Sequence, residues 1–378
     1  MTRCPEVRAK LPFMSGFRVL FLPVLALFLL ASCTGGSTVR GGSGVSLGEG
    51  KVLVASSRGR VFALSPQARQ DGRAFPAPGE WESSLGKGRH SFYSSPLLVG
   101  ADAYVGSYEG QLLVLDGATG QPREKPLFRG GSIVGGPVLG DNTIYLAAGS
   151  QLLALDPATG QARWTFRASD RIWGRPVLAG ETLYVTSLDH YVYALRSRDG
   201  TLRWKYRAGG AMASSPVLGG GALFVGAFDG LYALDGGTGR LLWGPFATGA
   251  WFWGRPLFWG GKLFAGSLDG KLYTLDALTG QPLREPFFTG GPITASPVLE
   301  DGVLVVASDR VYGLDPGSGK ELWPQPRGLG ARVVADLVGE GGVVYVHAQE
   351  GPGKEPPETL WALKAGSGEV LWKLPLGR

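Results

Sequence analysis

The feature that most constrains the fold of this chain is an internal repeat of about 40 residues. A proline followed by two apolar residues returns at spacings of 41, 39, 40, 40 and 41, at Pro96, Pro137, Pro176, Pro216, Pro256 and Pro297. We assign Val45 and Asp336 to the matching places at the two ends of the series. A period of this length with strand-like content predicts a solenoid or a propeller.

Each repeat contains four short apolar runs separated by turn residues, and the fifth repeat shows them most clearly. Its runs 222–226 and 231–234 are divided by Asp229-Gly230, and a second Gly-rich turn leads to the run 240–243. Such short runs with Asp-Gly or Thr-Gly between them indicate β-hairpins. Packing four-stranded sheets radially in a closed ring buries their faces and leaves only short, protected edges.

The repeats therefore predict an all-β fold, an eight-bladed β-propeller of four-stranded antiparallel blades over residues 45–378. Its second strands are predicted near Val52, Tyr104, Ile144, Leu183, Leu223, Leu263, Val303 and Val343. A seven-bladed ring is the alternative, because the first repeat is degenerate and a Pro/Gly/Arg-rich loop leads to Trp81. In the eighth repeat, residues 350–358 predict an exposed loop insertion.

The first 33 residues have the pattern of a secretory leader. Basic residues up to Arg18 precede an apolar stretch of 13 residues, 19–31. This stretch is shorter than the roughly 20 residues that span a bilayer, and it is typical of a signal peptide. Its end, Leu30-Ala31-Ser32-Cys33, resembles a lipobox. The resemblance implies diacylglycerol on the Cys33 sulfur, cleavage before Cys33, acylation of the new amino group (palmitate) and membrane anchoring there. An ordinary secretory signal is the alternative.

The segment 34–44 is rich in Gly and Ser and predicts a flexible tether. The formal net charge is +6, and it falls to +3 without the leader. No run of Lys or Arg occurs, and this argues against a nucleic-acid partner. Both cysteines, Cys4 and Cys33, belong to the leader, so the folded part has no disulfide and no thiolate metal site.

We predict no catalytic residue, no metal and no cofactor. The three histidines, His90, His190 and His347, lie in different repeats without metal-ligand spacing. A set of acidic residues recurs in phase with the repeats, at Glu109, Asp189, Asp229, Asp269 and Asp309. A ring of acids can bind calcium, but Asp229 and Asp269 precede Gly, so the pattern favours hairpin-turn residues.

A second recurring pattern is Leu-Asp-x-x-Thr/Ser-Gly, often with a Trp four residues beyond the Gly. Complete copies end at Trp164, Trp243 and Trp323. The Asp carboxylate can accept backbone N–H groups of the turn. The Trp ring can pack between neighbouring blades while its N–H reaches a carbonyl. Interblade docking is the favoured interpretation, and a ligand platform is the alternative.

These copies resemble the PQQ-like eight-bladed propellers, which are marked by this tryptophan-docking motif. One branch of that family comprises quinoprotein dehydrogenases, which hold pyrroloquinoline quinone and calcium on the axis. Another comprises BamB-type lipoproteins, which bind the β-barrel assembly machinery in the outer membrane. Many dehydrogenases need adjacent cysteines and long insertions, which are missing here, and the second branch fits better.

That resemblance implies a non-catalytic, monomeric, lipid-anchored scaffold at the outer membrane, facing the periplasm and binding an envelope protein. Two alternatives stay open: an enzyme like the PQQ-dependent dehydrogenases, and a surface lipoprotein that binds carbohydrate or peptide.

Candidate binding residues lie in the loops that enter the first strands, because exposed Trp, Tyr and Arg dominate protein-binding hot spots. They are Phe92, Tyr93, Trp173, Arg175, Trp251, Trp253, Arg255 and Arg332. The alternative for the rings is that they fill the axial channel or pack between blades.

Overall fold

Eight antiparallel sheets follow one another along the chain and form the blades of a propeller. The computed structural model describes residues 44–85, 90–351 and 357–377. All of these belong to one compact unit, Gly41–Arg378. The predicted signal peptide, Cys33 and the tether up to residue 43 lie outside the described residues, as do residues 352–356 of the predicted loop insertion.

The strands of the first four blades are, in order, β1 (Val45–Gly48), β2 (Lys51–Ala55), β3 (Arg60–Leu64) and β4 (Trp81–Ser84); β5 (Leu97–Val99), β6 (Asp102–Gly106), β7 (Gln111–Asp116) and β8 (Phe128–Arg129); β9 (Val138–Gly140), β10 (Thr143–Ala148), β11 (Gln151–Leu155) and β12 (Ala162–Arg167); β13 (Val177–Ala179), β14 (Thr182–Thr186), β15 (Tyr191–Arg196) and β16 (Leu202–Arg207).

The strands of the last four blades are β17 (Val217–Gly219), β18 (Ala222–Ala227), β19 (Gly230–Asp235) and β20 (Leu241–Phe246); β21 (Leu257–Trp259), β22 (Lys262–Gly266), β23 (Lys271–Asp276) and β24 (Phe287–Phe288); β25 (Val298–Glu300), β26 (Val303–Ala307), β27 (Arg310–Leu314) and β28 (Arg327–Gly328); β29 (Ala331–Val333), β30 (Val338–Glu340), β31 (Val343–Glu350), β32 (Glu358–Lys364) and β33 (Val370–Pro375). The long strand β31 pairs with both β29 and β30.

The core lies between the blades rather than within any one of them. Eight clusters of buried apolar side chains each join two successive blades. One cluster joins Val54 and Phe62 of blade 1 to Tyr345 and Leu360 of blade 8. This contact closes the ring at eight blades, so the predicted eight-bladed propeller is confirmed and the seven-bladed alternative is wrong.

The degenerate first repeat forms a complete blade because a short helix, α1 (Pro66–Gln70), fills the place of its last turn. Ser65 caps the helix by accepting the N–H of Ala68, a typical N-cap contact. Arg69 and Glu80 form an ion pair with 2.8 Å between Nη2 and Oε2, and both side chains are buried. The carboxylate of Glu80 also accepts the N–H of Ser65, so the irregular segment is held by its own polar contacts.

The register of blade 8 corrects one assignment made from the repeat. Val298 pairs with Val305 in blade 7, and Val338 pairs with Tyr345 in blade 8. Superposing these two hairpins places Leu337, not Asp336, in the position of the repeated proline. Blade 8 has no proline there, and only the pairing of β30 with β31 fixes the alignment.

The recurring acids are turn residues, as the sequence indicated. Asp189 accepts the N–H of Tyr191 at 3.0 Å and the hydroxyl of Tyr193 at 2.8 Å. Asp269 accepts the N–H of Lys271 and, at 2.6 Å, the hydroxyl of Tyr273. Burial raises the pKa of both tyrosines, and the hydrogen bond to the carboxylate adds to this effect.

Among the described residues, no helix is both long and apolar enough to cross a membrane.

Candidate functional site

The loops that lead into the first strands alternate between buried and half-exposed side chains. The residue four positions before each repeated proline is apolar and at most 2 % exposed, and this set comprises Phe92, Ile133, Ile172, Met212, Phe252 and Ile293. Glycines on the second strands make room for this position. A Cβ on Gly106 would lie 2.3 Å from Ile133 Cγ2, and one on Gly266 would lie 2.3 Å from Ile293 Cγ2.

This burial removes one predicted binding residue. Phe92 is fully buried in the cluster between blades 1 and 2, so its ring packs the core and offers no surface. The prediction of Phe92 as a binding residue is therefore wrong. The aromatic character of Phe92 could not distinguish it from Tyr93, because alternate positions along the loop face the core and the surface.

The next position, three before the proline, is half-exposed and carries Tyr93, Trp173 and Trp253 in blades 2, 4 and 6. The rings of Trp173 and Trp253 lie 6.4 Å apart between centroids, across the blade between them. Tyr93 lies on another part of the ring and meets Tyr108 edge-on at 5.5 Å. The alternation therefore brings two of the predicted tryptophans together.

Trp251 belongs to the same group because Phe228, a residue not predicted from the sequence, contacts both Trp251 and Trp253. Phe228 stacks on Trp251 with centroids 4.4 Å apart and an interplanar angle of 16°. Phe228 also lies 6.4 Å from Trp253, with nearly parallel rings. We call Trp173, Phe228, Trp251 and Trp253 the aromatic cluster. The signal for Phe228 was its place directly before the turn residue Asp229, on the face that the entering loops share.

A second missed residue, Arg171, covers one side of the aromatic cluster. Its Cζ atom lies 5.3 Å from the ring centroid of Trp173, within the range of a cation–π contact. Its side chain is exposed on the same loop. The cluster thus combines tryptophan rings with an arginine, whose Nε also lies 3.7 Å from Asp170 Oδ1, and tryptophan with arginine is typical of protein-binding hot spots.

The residues directly before the first strands link the blades around the axis. The N–H of Arg175 donates to Ser215 Oγ, and the N–H of Arg255 donates to Ser296 Oγ, each at 2.8 Å. The N–H of Ser296 donates in turn to Asp336 Oδ1 at 2.8 Å. These bonds are local contacts between neighbouring blades, and they position charged side chains from blades 4, 6 and 8.

Arg175 is the most buried of the charged groups near the axis. Its Nη2 donates to the carbonyl of Pro137 at 3.1 Å. Burial lowers the pKa of Arg175, the nearby Arg255 lowers it further, and Asp336 opposes this shift. Arg255 and Asp336 are themselves exposed. Two positive groups and one negative group therefore converge here, close enough for their charges to interact.

Arg332, the last predicted binding residue, is exposed on β29 of blade 8. The structure thus brings together Trp173, Trp251 and Trp253 in one cluster, and Arg175 and Arg255 occupy the same loop position in blades 4 and 6. Tyr93 and Arg332 belong to blades 2 and 8.

The recurring tryptophans dock neighbouring blades. Their indole N–H groups donate to carbonyls of the following blade at 2.8 to 3.1 Å, in the pairs Trp81–Gly117, Trp164–Ser197, Trp204–Gly236, Trp243–Ala277 and Trp323–Ala365. In blade 6, Arg284 replaces the Trp, and its Nη2 donates to the carbonyl of Pro316 at 3.1 Å. The prediction of interblade docking is confirmed.

Comparison with known proteins agrees with this geometry. A family model described as outer membrane protein assembly factor BamB matches residues 73–169, 123–215, 207–283 and 281–377. No curated protein sequence matches the chain.

Among solved structures, BamB from Moraxella catarrhalis is similar with a TM-score of 0.67 and 17% identity, covering 84% of this chain and 92% of that one. The computationally designed Ika8 protein gives a TM-score of 0.65 and 18% identity, covering 76% and 87%. Quinohemoprotein alcohol dehydrogenase from Comamonas testosteroni gives 0.60 and 14%, covering 76% and 67%. At these identities the structural likeness shows the fold alone.

Proposed function

We propose, since this chain belongs to the family of the outer membrane protein assembly factor BamB, that it is a non-catalytic scaffold whose loop face binds a protein of the cell envelope. By the same relationship, the partner is a component of the machinery that assembles β-barrel proteins in the outer membrane. The eight blades supply a rigid platform, and the loops that enter the first strands supply the contact surface.

The observation that carries this proposal is the aromatic cluster. Tryptophan and arginine are the residues whose truncation costs most at protein interfaces. Here three tryptophans and a phenylalanine lie in one cluster, in which Phe228 stacks on Trp251 and Arg171 lies over Trp173. The recurring docking tryptophans do not form this group, since their indoles are used between blades.

We further propose that Cys33 carries the lipid anchor and that residues 34–44 form the tether, with the propeller in the periplasm at the outer membrane. An extended chain of 11 residues reaches at most about 40 Å. The propeller would therefore stay within about 40 Å of the membrane, where a membrane-embedded partner is accessible. Labelling with radioactive palmitate, compared between the natural chain and Cys33→Ser, tests the anchor.

The binding face is tested by replacing Trp251 and Trp253 together with alanine. We expect capture of the barrel-assembly protein, measured by crosslinking and co-purification from native membranes, to fall at least about tenfold. Thermal stability should change little, because both side chains are half-exposed. The matched control is Trp259→Ala, an exposed tryptophan at the other end of the first strand of the same blade.

Two results would contradict the proposal. One is equal capture by the double variant and the control variant. The other is stoichiometric binding of pyrroloquinoline quinone and calcium, read from the chromophore, since this would favour an enzyme of the dehydrogenase branch.

A further inference from the structure

Two buried hydrogen-bond donors in one loop near the axis have no acceptor among the described residues. They are the indole N–H of Trp173 and the Nε–H of Arg175. Gly174 between them is packed tightly, since a Cβ there would lie 2.7 Å from both the Ser214 carbonyl oxygen and Thr186 Oγ1. A buried donor without a partner destabilises a protein by about 1–3 kcal/mol, and native structures rarely contain one. Because both groups are donors, the missing partner is an acceptor.

The charge around these donors is positive. Arg175 interacts electrostatically with Arg255, which has the same charge, and with Asp336, which has the opposite charge. The residues in the same position of the other five blades are uncharged, namely Gly44, Ser95, Gly136, Ser215 and Ser296. Among the residues at this position, one carboxylate thus accompanies two guanidinium groups, and an oxygen of that carboxylate already accepts the N–H of Ser296. The position has one positive charge in excess.

We propose that this position is a binding site for a carboxylate group, held by the guanidinium groups of Arg175 and Arg255 with the Trp173 indole N–H as a further donor. A guanidinium presents parallel donors that match the two oxygens of a carboxylate. The adjacent rings of Trp173 and Trp253 form an apolar wall. This wall favours a carboxylate attached to an organic body over a small inorganic anion.

The site does not depend on the proposed protein partner. A free small carboxylate and the Asp or Glu side chain of a bound polypeptide carry the same chemistry, and the experiment distinguishes them. One arm titrates the full-length protein with sodium succinate, using sodium chloride at matched ionic strength as the reference. The other arm uses a capped peptide that contains one Glu between two Phe residues, with its Gln counterpart as the reference.

The readout is the Trp173 indole N–H resonance in ¹H–¹⁵N spectra, assigned with Trp173→Phe. We expect a saturable shift that the references do not produce. Arg175→Gln should weaken the apparent affinity by about tenfold, since one charge-assisted hydrogen-bond pair is lost. Asp336→Asn should tighten it by a few-fold, because the competing carboxylate is neutralised while Oδ1 is kept. The control Arg240→Gln, at an exposed position on blade 5, should change nothing.

Every outcome bears on the site. A shift with succinate supports a free ligand, and a shift with the Glu peptide alone supports a polypeptide source. If neither probe exceeds its reference, or if the shift survives both Arg175→Gln and Arg255→Gln, the proposal is overturned and the orphan donors are bound to water. Arg255→Gln also serves if Arg175→Gln fails to fold, because Arg255 is exposed.

Discussion

Glu358 is an ionisable residue buried at the seam between blades 8 and 1. Its side chain is fully buried, and Oε2 lies 3.3 Å from Nε2 of the buried His347. Ser57 of blade 1 donates its hydroxyl to the same carboxylate. Burial alone would raise the pKa of Glu358, but His347 and the hydroxyls of Ser57 and Ser56 outweigh it and lower the pKa to about 2.

We predict that Glu358→Gln lowers the free energy of unfolding at pH 7 by about 2–3 kcal/mol. The pKa is lower in the folded state, so the ionised carboxylate stabilises the fold above its unfolded value of 4.5, and this stabilisation is lost as the pH falls towards 2. The difference between variant and natural chain should therefore vanish over that range, as measured by urea unfolding. Glu321→Gln, at an exposed glutamate, is the control. A difference that persists near pH 2 would show that ionisation is not its cause.

At the level of secondary-structure elements, neighbouring blades are held together where a hairpin turn of one blade packs against a tryptophan of the preceding blade. The turn of blade 5 and Trp204 of blade 4 are an example. Asp235 Oδ1 accepts the N–H and the hydroxyl of Thr238, and these bonds lower the pKa of the carboxyl. The turn then places Gly239, with φ of 74°, against the indole of Trp204. A Cβ on Gly239 would lie 2.5 Å from Trp204 Cε3, so the turn needs glycine for its backbone and for its contact.

We predict that Gly239→Ala destabilises the protein by about 2–3 kcal/mol, from the left-handed backbone and the displaced indole together. The measurement is chemical unfolding followed by tryptophan fluorescence. Gly249→Ala provides the comparison, because a Cβ there meets nothing within 4 Å and its φ is not positive. Equal stability of the two variants would mean that the turn does not hold the indole.

At the scale of the whole molecule, the ring closes by packing and not by exchange of a strand. Blade 1 is built from residues near one end of the described chain and blade 8 from residues near the other. Trp372 of blade 8 has no acceptor for its indole N–H among the described residues, since α1 replaces the docking turn in blade 1. The buried Leu376 acts at this seam, and its N–H donates to the carbonyl of Glu358 at 2.7 Å.

We predict that Leu376→Ala weakens the seam selectively and lowers the free energy of unfolding by about 3 kcal/mol. Hydrogen exchange should accelerate in blades 1 and 8 more than in blades 4 and 5, because local opening begins where the chain is not continuous. Leu371→Ala, on β33 just before Leu376 but exposed, should have a smaller effect. Uniform acceleration in all blades would contradict the role of the seam.

The repeats in the sequence were sufficient to predict the four-stranded blades and the docking of tryptophans on turns, and they favoured eight blades over seven. These properties follow from local chemistry repeated in register, since Asp, Thr and Gly form the same turn wherever they occur. A chain of eight similar four-stranded sheets has few ways to bury the faces of those sheets, and a closed ring is one of them.

The packing of the closed ring was needed to show which loop residues face outward and which ones are in contact. Phe92 and Tyr93 are both aromatic, so the residue types in this loop do not reveal its alternation, and only the structure shows that Phe92 is the buried one. Phe228 reaches Trp251 from a different loop, and Trp173 meets Trp253 from another blade. Such contacts depend on the curvature of the closed ring, which brings together residues that no local pattern relates.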